Sequence, residues 1–194
     1  MNIQILRHFR VVGFLTLAFL LVLAGTFLLP IRAQEADETS EERTQTFWWQ
    51  VSATGPSERS GHAMVYDSGR GMRVVFGGEG SSGHFGDTWE WDGINWRCAA
   101  TSGPSPRHSH SMAYDSARGK VVLFGGNFNT DDPSRQHLND TWEWDGSSWT
   151  QIRTVEPPGR EGHAMAYDSA RRVVVLFGGL SWQSGEGNKY LNDT

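Results

Sequence analysis

Three times in 194 residues the chain writes Phe-Gly-Gly after an apolar run, at Phe76-Gly77-Gly78, Phe124-Gly125-Gly126 and Phe177-Gly178-Gly179. The first glycine of each pair stands 15 residues after a histidine, His62, His110 or His163. Histidines and glycine pairs both step by 48 and 53 residues, while Asp87-Thr88, Asp140-Thr141 and Asp193-Thr194 step by 53 and 53. A fixed period near 50 residues constrains the fold more than any other feature here. It means one supersecondary unit repeated in tandem, each copy burying its apolar face against the next.

The second copy shows the unit most fully. It runs through Gly103-Pro-Ser-Pro-Arg107, His110-Ser-Met-Ala-Tyr-Asp115 and Lys120-Val-Val-Leu-Phe-Gly-Gly126, then a variable loop. Asn139-Asp-Thr-Trp-Glu-Trp-Asp-Gly146 and Trp149-Thr-Gln-Ile152 complete it. Each piece is short, β-rich and bounded by turn residues. In Thr141-Trp-Glu-Trp-Asp145 the tryptophans alternate with polar residues, as on a strand with one apolar face. Asp92-Gly93 and Asp145-Gly146 are hairpin signals, and Asp67-Ser-Gly-Arg70, Asp115-Ser-Ala-Arg118 and Asp168-Ser-Ala-Arg171 predict a second, more polar turn. Each unit is therefore expected to be a four-stranded antiparallel sheet.

The glycine pair, an aromatic at Trp89 or Trp142, and a second tryptophan at Trp96 or Trp149 resemble the kelch motif. The third copy carries only its glycines, and the family more often has tyrosine where Trp89 and Trp142 stand. The resemblance spans residues 46–194 and implies an all-β fold of β-propeller blades. It divides the region into an isolated fourth strand at 46–52, blades at 53–99 and 100–152, and a partial blade at 153–194. Propellers close with four to eight blades, so an open, incomplete arc is expected, from a fragment or truncated product. Gly77, Gly78, Gly125, Gly126, Gly178 and Gly179 then take architectural roles, because no helix follows to make a phosphate cradle. His62, His110 and His163 recur once per unit, which argues for packing rather than a metal centre, with Arg59, Arg107 and Arg160 tying neighbouring blades. Asp67, Asp115 and Asp168, and the Asp-Thr pairs, read as turn formers.

The first 33 residues follow a different logic. A basic head with Arg7 and Arg10 precedes 21 uncharged residues from Val11 to Ile31, long enough to span a bilayer as a helix. A cleaved signal peptide or a retained anchor is expected, placing the repeats outside the cytoplasm. Residues 34–45 are acid-rich and read as a disordered linker. The single cysteine, Cys98, excludes an internal disulfide framework. A net charge of -5 without a basic stripe excludes nucleic acid as partner.

Function is expected in the variable loops, which join the second and third strands of each unit. His84 and Phe85 lie in the first, Asn127, Phe128, Asp131, Arg135 and His137 in the second, Trp182 and Tyr190 in the third. Aromatics mixed with Asn and Asp suit an unidentified protein or carbohydrate partner. The expected function is an exported scaffold that binds through these loops, with no catalytic residue, metal or cofactor. The alternatives are a fragment of a copper-dependent propeller enzyme resembling the galactose-oxidase type, or a non-functional truncated product. Against the enzyme, Tyr66, Tyr114 and Tyr167 sit at unit-equivalent positions, whereas a catalytic constellation breaks repetition.

Overall fold

A computed structural model describes residues 2–9, 45–52, 54–128, 137–153, 157–183 and 187–194. The chain divides into two compact units, Asn2–Ser52 and Ala53–Thr194. In the first, strand β1 (Asn2–Phe9) pairs antiparallel with β2 (Gln45–Ser52), from Asn2↔Ser52 to Phe9↔Gln45.

The second unit holds the repeats. Repeat 1 forms a four-stranded sheet from β3 (Ala63–Asp67), β4 (Met72–Phe76), β7 (Thr88–Trp91) and β8 (Trp96–Ala100). A small hairpin, β5 (Glu79–Gly80) and β6 (Gly83–His84), is inserted after β4. Repeat 2 repeats the sheet with β9 (Ser111–Asp115), β10 (Lys120–Phe124), β11 (Thr141–Trp144) and β12 (Trp149–Ile152). Repeat 3 contributes β13 (Ala164–Asp168) and β14 (Val173–Phe177), then a hairpin of β15 (Leu180–Gln183) and β16 (Gly187–Tyr190).

Turn chemistry sets these strands. The Asp67 carboxylate accepts the Arg70 backbone N–H at 3.0 Å, and Asp115 and Asp168 accept those of Ala117 and Ala170 at the same distance. Asp92 and Asp145 receive pairs of backbone N–H groups in the other hairpin. Such side-chain caps take over backbone donors that the turn leaves unpaired. Arg59, Arg107 and Arg160 close their own repeats: Arg107 Nη1 donates to the Gly125 carbonyl at 3.0 Å and to Asp140 at 2.6 Å. Arg59 meets Gly77 and Asp87 in the same way, and Arg160 meets Gly178 and Asp193. The Asp-Thr aspartates are thus arginine partners, and Asp87 and Asp140 also accept the Trp89 and Trp142 indole N–H groups.

The histidines and tryptophans make the seams. Val74, Phe76, Met112, Val121, Leu123 and Trp144 form one buried cluster drawn from repeats 1 and 2. The His110 ring meets Phe76 edge-on at 5.5 Å, and His163 meets Phe124 likewise. Trp144 and Trp149 of repeat 2 donate their indole N–H groups to Glu90 and Thr88 of repeat 1.

Several expectations are corrected. The antiparallel units are present, but the sheets stay separate and none closes, so the molecule is not a kelch propeller or an arc of complete blades. Only two repeats form four-stranded sheets, while the third holds a two-stranded sheet and a separate hairpin. Residues 46–52 lie in β2, which pairs with β1. No N-terminal hydrophobic helix is found among the described residues. Residues 2–9 are a strand, and no helix among the described residues is long and apolar enough to cross a membrane. The described residues therefore give the membrane-anchored localisation no support. The apolar run itself, and the linker apart from Gln45, lie outside the described residues.

Candidate metal centre

One place breaks the repeat pattern. Glu79 and His84 face each other as cross-strand partners in the β5–β6 hairpin, with His84 Nε2 3.5 Å from Glu79 Oε2. The first residues of repeat 2 bring His108 beside them, its ring stacked on His84 with centroids 4.9 Å apart. The ligand-capable atoms of Glu79, His84 and His108 all lie within 4.8 Å of one another.

Backbone bonds on both sides hold His108 there. Arg107 N–H donates to the Phe85 carbonyl at 3.2 Å, and Gly78 N–H donates to the Arg107 carbonyl at 2.8 Å. Ser109 N–H reaches the Gly61 carbonyl at 2.8 Å. Beneath the hairpin, the Arg59 guanidinium lies over the Phe85 ring at 4.1 Å, a cation–π contact that pins the residue after His84. Ligands fixed by their scaffold before binding lose less ordering entropy when they bind.

The next seam shows what the same positions do without this triad. Backbone bonds equate Ser60, His108 and Glu161, and equate His84, His137 and Tyr190 through the N–H groups that follow them. At the second seam His137 Nε2 lies 3.2 Å from Glu161 Oε1, and its Nδ1 accepts the Trp182 backbone N–H at 3.0 Å. An Nδ1 that accepts an N–H leaves the neutral ring's proton on Nε2, where it donates to Glu161. That ring has no lone pair left for a cation. His84 has only Glu79 as a polar partner among the described residues, and His108 only Ser109 Oγ at 3.0 Å.

The other candidate residues are placed differently. His110 and His163 are buried with neither ring nitrogen hydrogen-bonded. Burial first, then Arg107 and the neighbouring histidines, push His110 down to about 3. Burial and Arg160 push His163 down to about 4. Both are neutral packing rings, and His62, with no repeat before it, is exposed. Trp89, Trp96, Trp142 and Trp149 are half-buried within their sheets. Cys98 is exposed on β8.

The described loop residues are divided between interior and surface. Asn127 and His137 are interior, bridged backbone to backbone, and His137 is tied to Trp182. Phe85 and Phe128 are half-buried, Tyr190 is exposed, and Asp131 and Arg135 lie outside the described residues. With no closed propeller and no membrane-crossing helix among the described residues, the exported kelch scaffold binding through its loops is not the function this molecule supports. No protein-family model matches the chain and no curated protein is similar to it, so neither lends the kelch resemblance any support.

Of the triad, sequence reading singled out only His84. Glu79 and His108 were not among its candidates. The signal that could have found His108 is its departure from the repeat: it stands where repeats 1 and 3 have Ser60 and Glu161.

Proposed function

We propose that the chain is a metal-binding repeat protein that takes one zinc-class divalent ion at the seam of repeats 1 and 2, through Glu79, His84 and His108. The observation that carries this reading is the convergence of two imidazoles and a carboxylate within 4.8 Å, at the seam whose repeat equivalent is a closed His–Glu hydrogen bond. Two nitrogens and one oxygen suit zinc and its neighbours over calcium or magnesium, which favour all-oxygen sets. Metal–ligand bonds of about 2.0–2.2 Å require the three side chains to draw in slightly, and the exposed Glu79 has room to do so. Three protein ligands leave a fourth position open for water or another ligand. Because the ligands come from two repeats, the ion would also staple the seam.

The test is titration of the metal-free full-length Cys98→Ser protein with zinc, followed by calorimetry and by thermal unfolding. One equivalent should bind and raise the unfolding temperature. His84→Ala and His108→Ser should each weaken binding roughly 100-fold, while His137→Ala should leave affinity unchanged. Absence of stoichiometric binding, or affinity that survives both substitutions, would overturn the assignment.

A further inference from the structure

A groove adjoins one member of the triad. His84 belongs both to the metal-ligating set and to the wall of a groove of about 630 Å³. Phe85, Thr101, Ser102, Pro104 and Pro106 line the same groove. An ion held by the His84 imidazole stands within a side chain's length of it. The volume lies in the range of small-molecule pockets, about 300–1,000 Å³.

Both walls are fixed before anything binds. One wall, residues 84–87, runs on from the β5–β6 hairpin, and the other, 101–106, leads into repeat 2. The bond from Arg107 N–H to the Phe85 carbonyl, at 3.2 Å, joins them. They also meet at Gly86, where a Cβ would stand 3.1 Å from Pro106 Cγ. Gly103, with φ of 138°, lies against Trp149, and a Cβ there would come within 2.5 Å of the indole Cδ1. Trp149 is in turn bonded to Thr88 of repeat 1.

Charge then selects the ligand. Asp87, the acid in the wall, is already paired: its oxygens accept from Arg59 at 2.7 and 3.1 Å and from the Trp89 indole at 2.6 Å. Among the described residues no arginine or lysine lines the groove. A divalent ion with one carboxylate and two neutral imidazoles keeps a net single positive charge, and a bound cation is the dominant local charge in such a site. That charge favours a monoanion in the open position, and the flat side chains of Phe85, Pro104 and Pro106 favour a flat apolar body beside it.

We propose that ion and groove form one site for a small aryl monocarboxylate, its carboxylate taking the open coordination position and its ring lying along Phe85, Pro104 and Pro106. This rests on the metal centre assigned above, and it adds the class of ligand that centre takes.

The probes are cobalt(II), whose visible absorption reports its ligand set, and benzoate. Full-length Cys98→Ser protein is first loaded with cobalt(II), which tests the metal centre by itself, and is then titrated with benzoate. A saturable change in the visible bands is expected. Acetate should bind roughly tenfold more weakly, because it leaves the apolar wall bare. Benzamide, with the same ring and no charge, should leave the bands unchanged. Ser102→Trp adds bulk to the groove and removes no ligand, so it should weaken benzoate several-fold while cobalt affinity stays the same. Failure to bind one equivalent of cobalt overturns the metal centre and this site with it. Cobalt binding without a response to benzoate, or equal affinity for acetate and benzoate, overturns this site alone. So does benzoate affinity that is unchanged in Ser102→Trp or in the metal-free protein.

Discussion

At the scale of single residues, the buried histidines couple this fold to pH. His110 is held down to about 3 and His163 to about 4, against an ordinary 6.5. Since the folded values lie below the unfolded one, the unfolded chain takes up protons first. Stability is therefore full above about pH 6.5 and declines as pH falls towards those folded values. At pH 5 each ring costs about 2 kcal/mol relative to pH 7. The aspartates act in the same direction lower down. Burial tends to raise Asp140, but hydrogen bonds and charge from Arg107, with the Trp142 indole, outweigh it and hold the carboxyl below the usual range. Urea denaturation at pH 7 and pH 5 should show the loss, and His110→Phe should remove about half of it while keeping the ring against Phe76. A pH dependence identical in the variant would assign the acid sensitivity elsewhere.

At the scale of elements, the tryptophan strands do more than complete their sheets. Trp144 is 1% exposed and bonds Glu90, a buried carboxylate that also takes Arg70 and Arg97. Trp144→Phe keeps most of the apolar surface and removes one charge-assisted bond, so a loss of about 1.5–3 kcal/mol is expected in urea denaturation. A cost near zero would mean that Arg70 and Arg97 alone satisfy Glu90. These strands were legible because Val-Val-Leu-Phe and Thr-Trp-Glu-Trp alternate or run apolar between Asp-Gly and Asp-Ser turns. The hairpins β5–β6 and β15–β16 were not, since Glu79-Gly80 and Gly187-Asn-Lys-Tyr190 carry no apolar alternation. The triad was half-legible for a related reason. His84 lies in an evident loop, but its meeting with His108 depends on how one repeat docks on the next, which no local pattern encodes. The arginine–aspartate clamps were misassigned for the same reason: Arg107 and Asp140 are 33 residues apart, and no local spacing joins them, so the arginines read as ties between blades and the aspartates as turn formers.

At the scale of the whole molecule, the repeat predicted an open arc of propeller blades and the molecule has a series of separate sheets, so the seams carry the cohesion of the repeat unit. The first glycine of each Phe-Gly-Gly measures that directly. Gly77, Gly125 and Gly178 share a left-handed backbone, with φ of 66°, 66° and 71°. Alanine at any of them costs about 1–2 kcal/mol for that conformation alone. Their surroundings differ. A Cβ at Gly77 would stand 2.6 Å from the Arg107 carbonyl oxygen, and one at Gly125 2.7 Å from that of Arg160, each belonging to the next repeat. At Gly178 the nearest atom is the Leu191 carbonyl oxygen, at 3.4 Å. Overpacking against backbone adds about 1–3 kcal/mol, so Gly77→Ala and Gly125→Ala should each cost about 3–4 kcal/mol. Gly178→Ala should cost about 1–2 kcal/mol. Because each repeat touches only its neighbours, stability in such arrays is close to a sum of unit and seam contributions, and the difference between the variants isolates the seam. Urea midpoints for the three variants provide the comparison. Equal losses at all three would show that backbone conformation, and not the docking of one repeat on the next, is what these glycines serve.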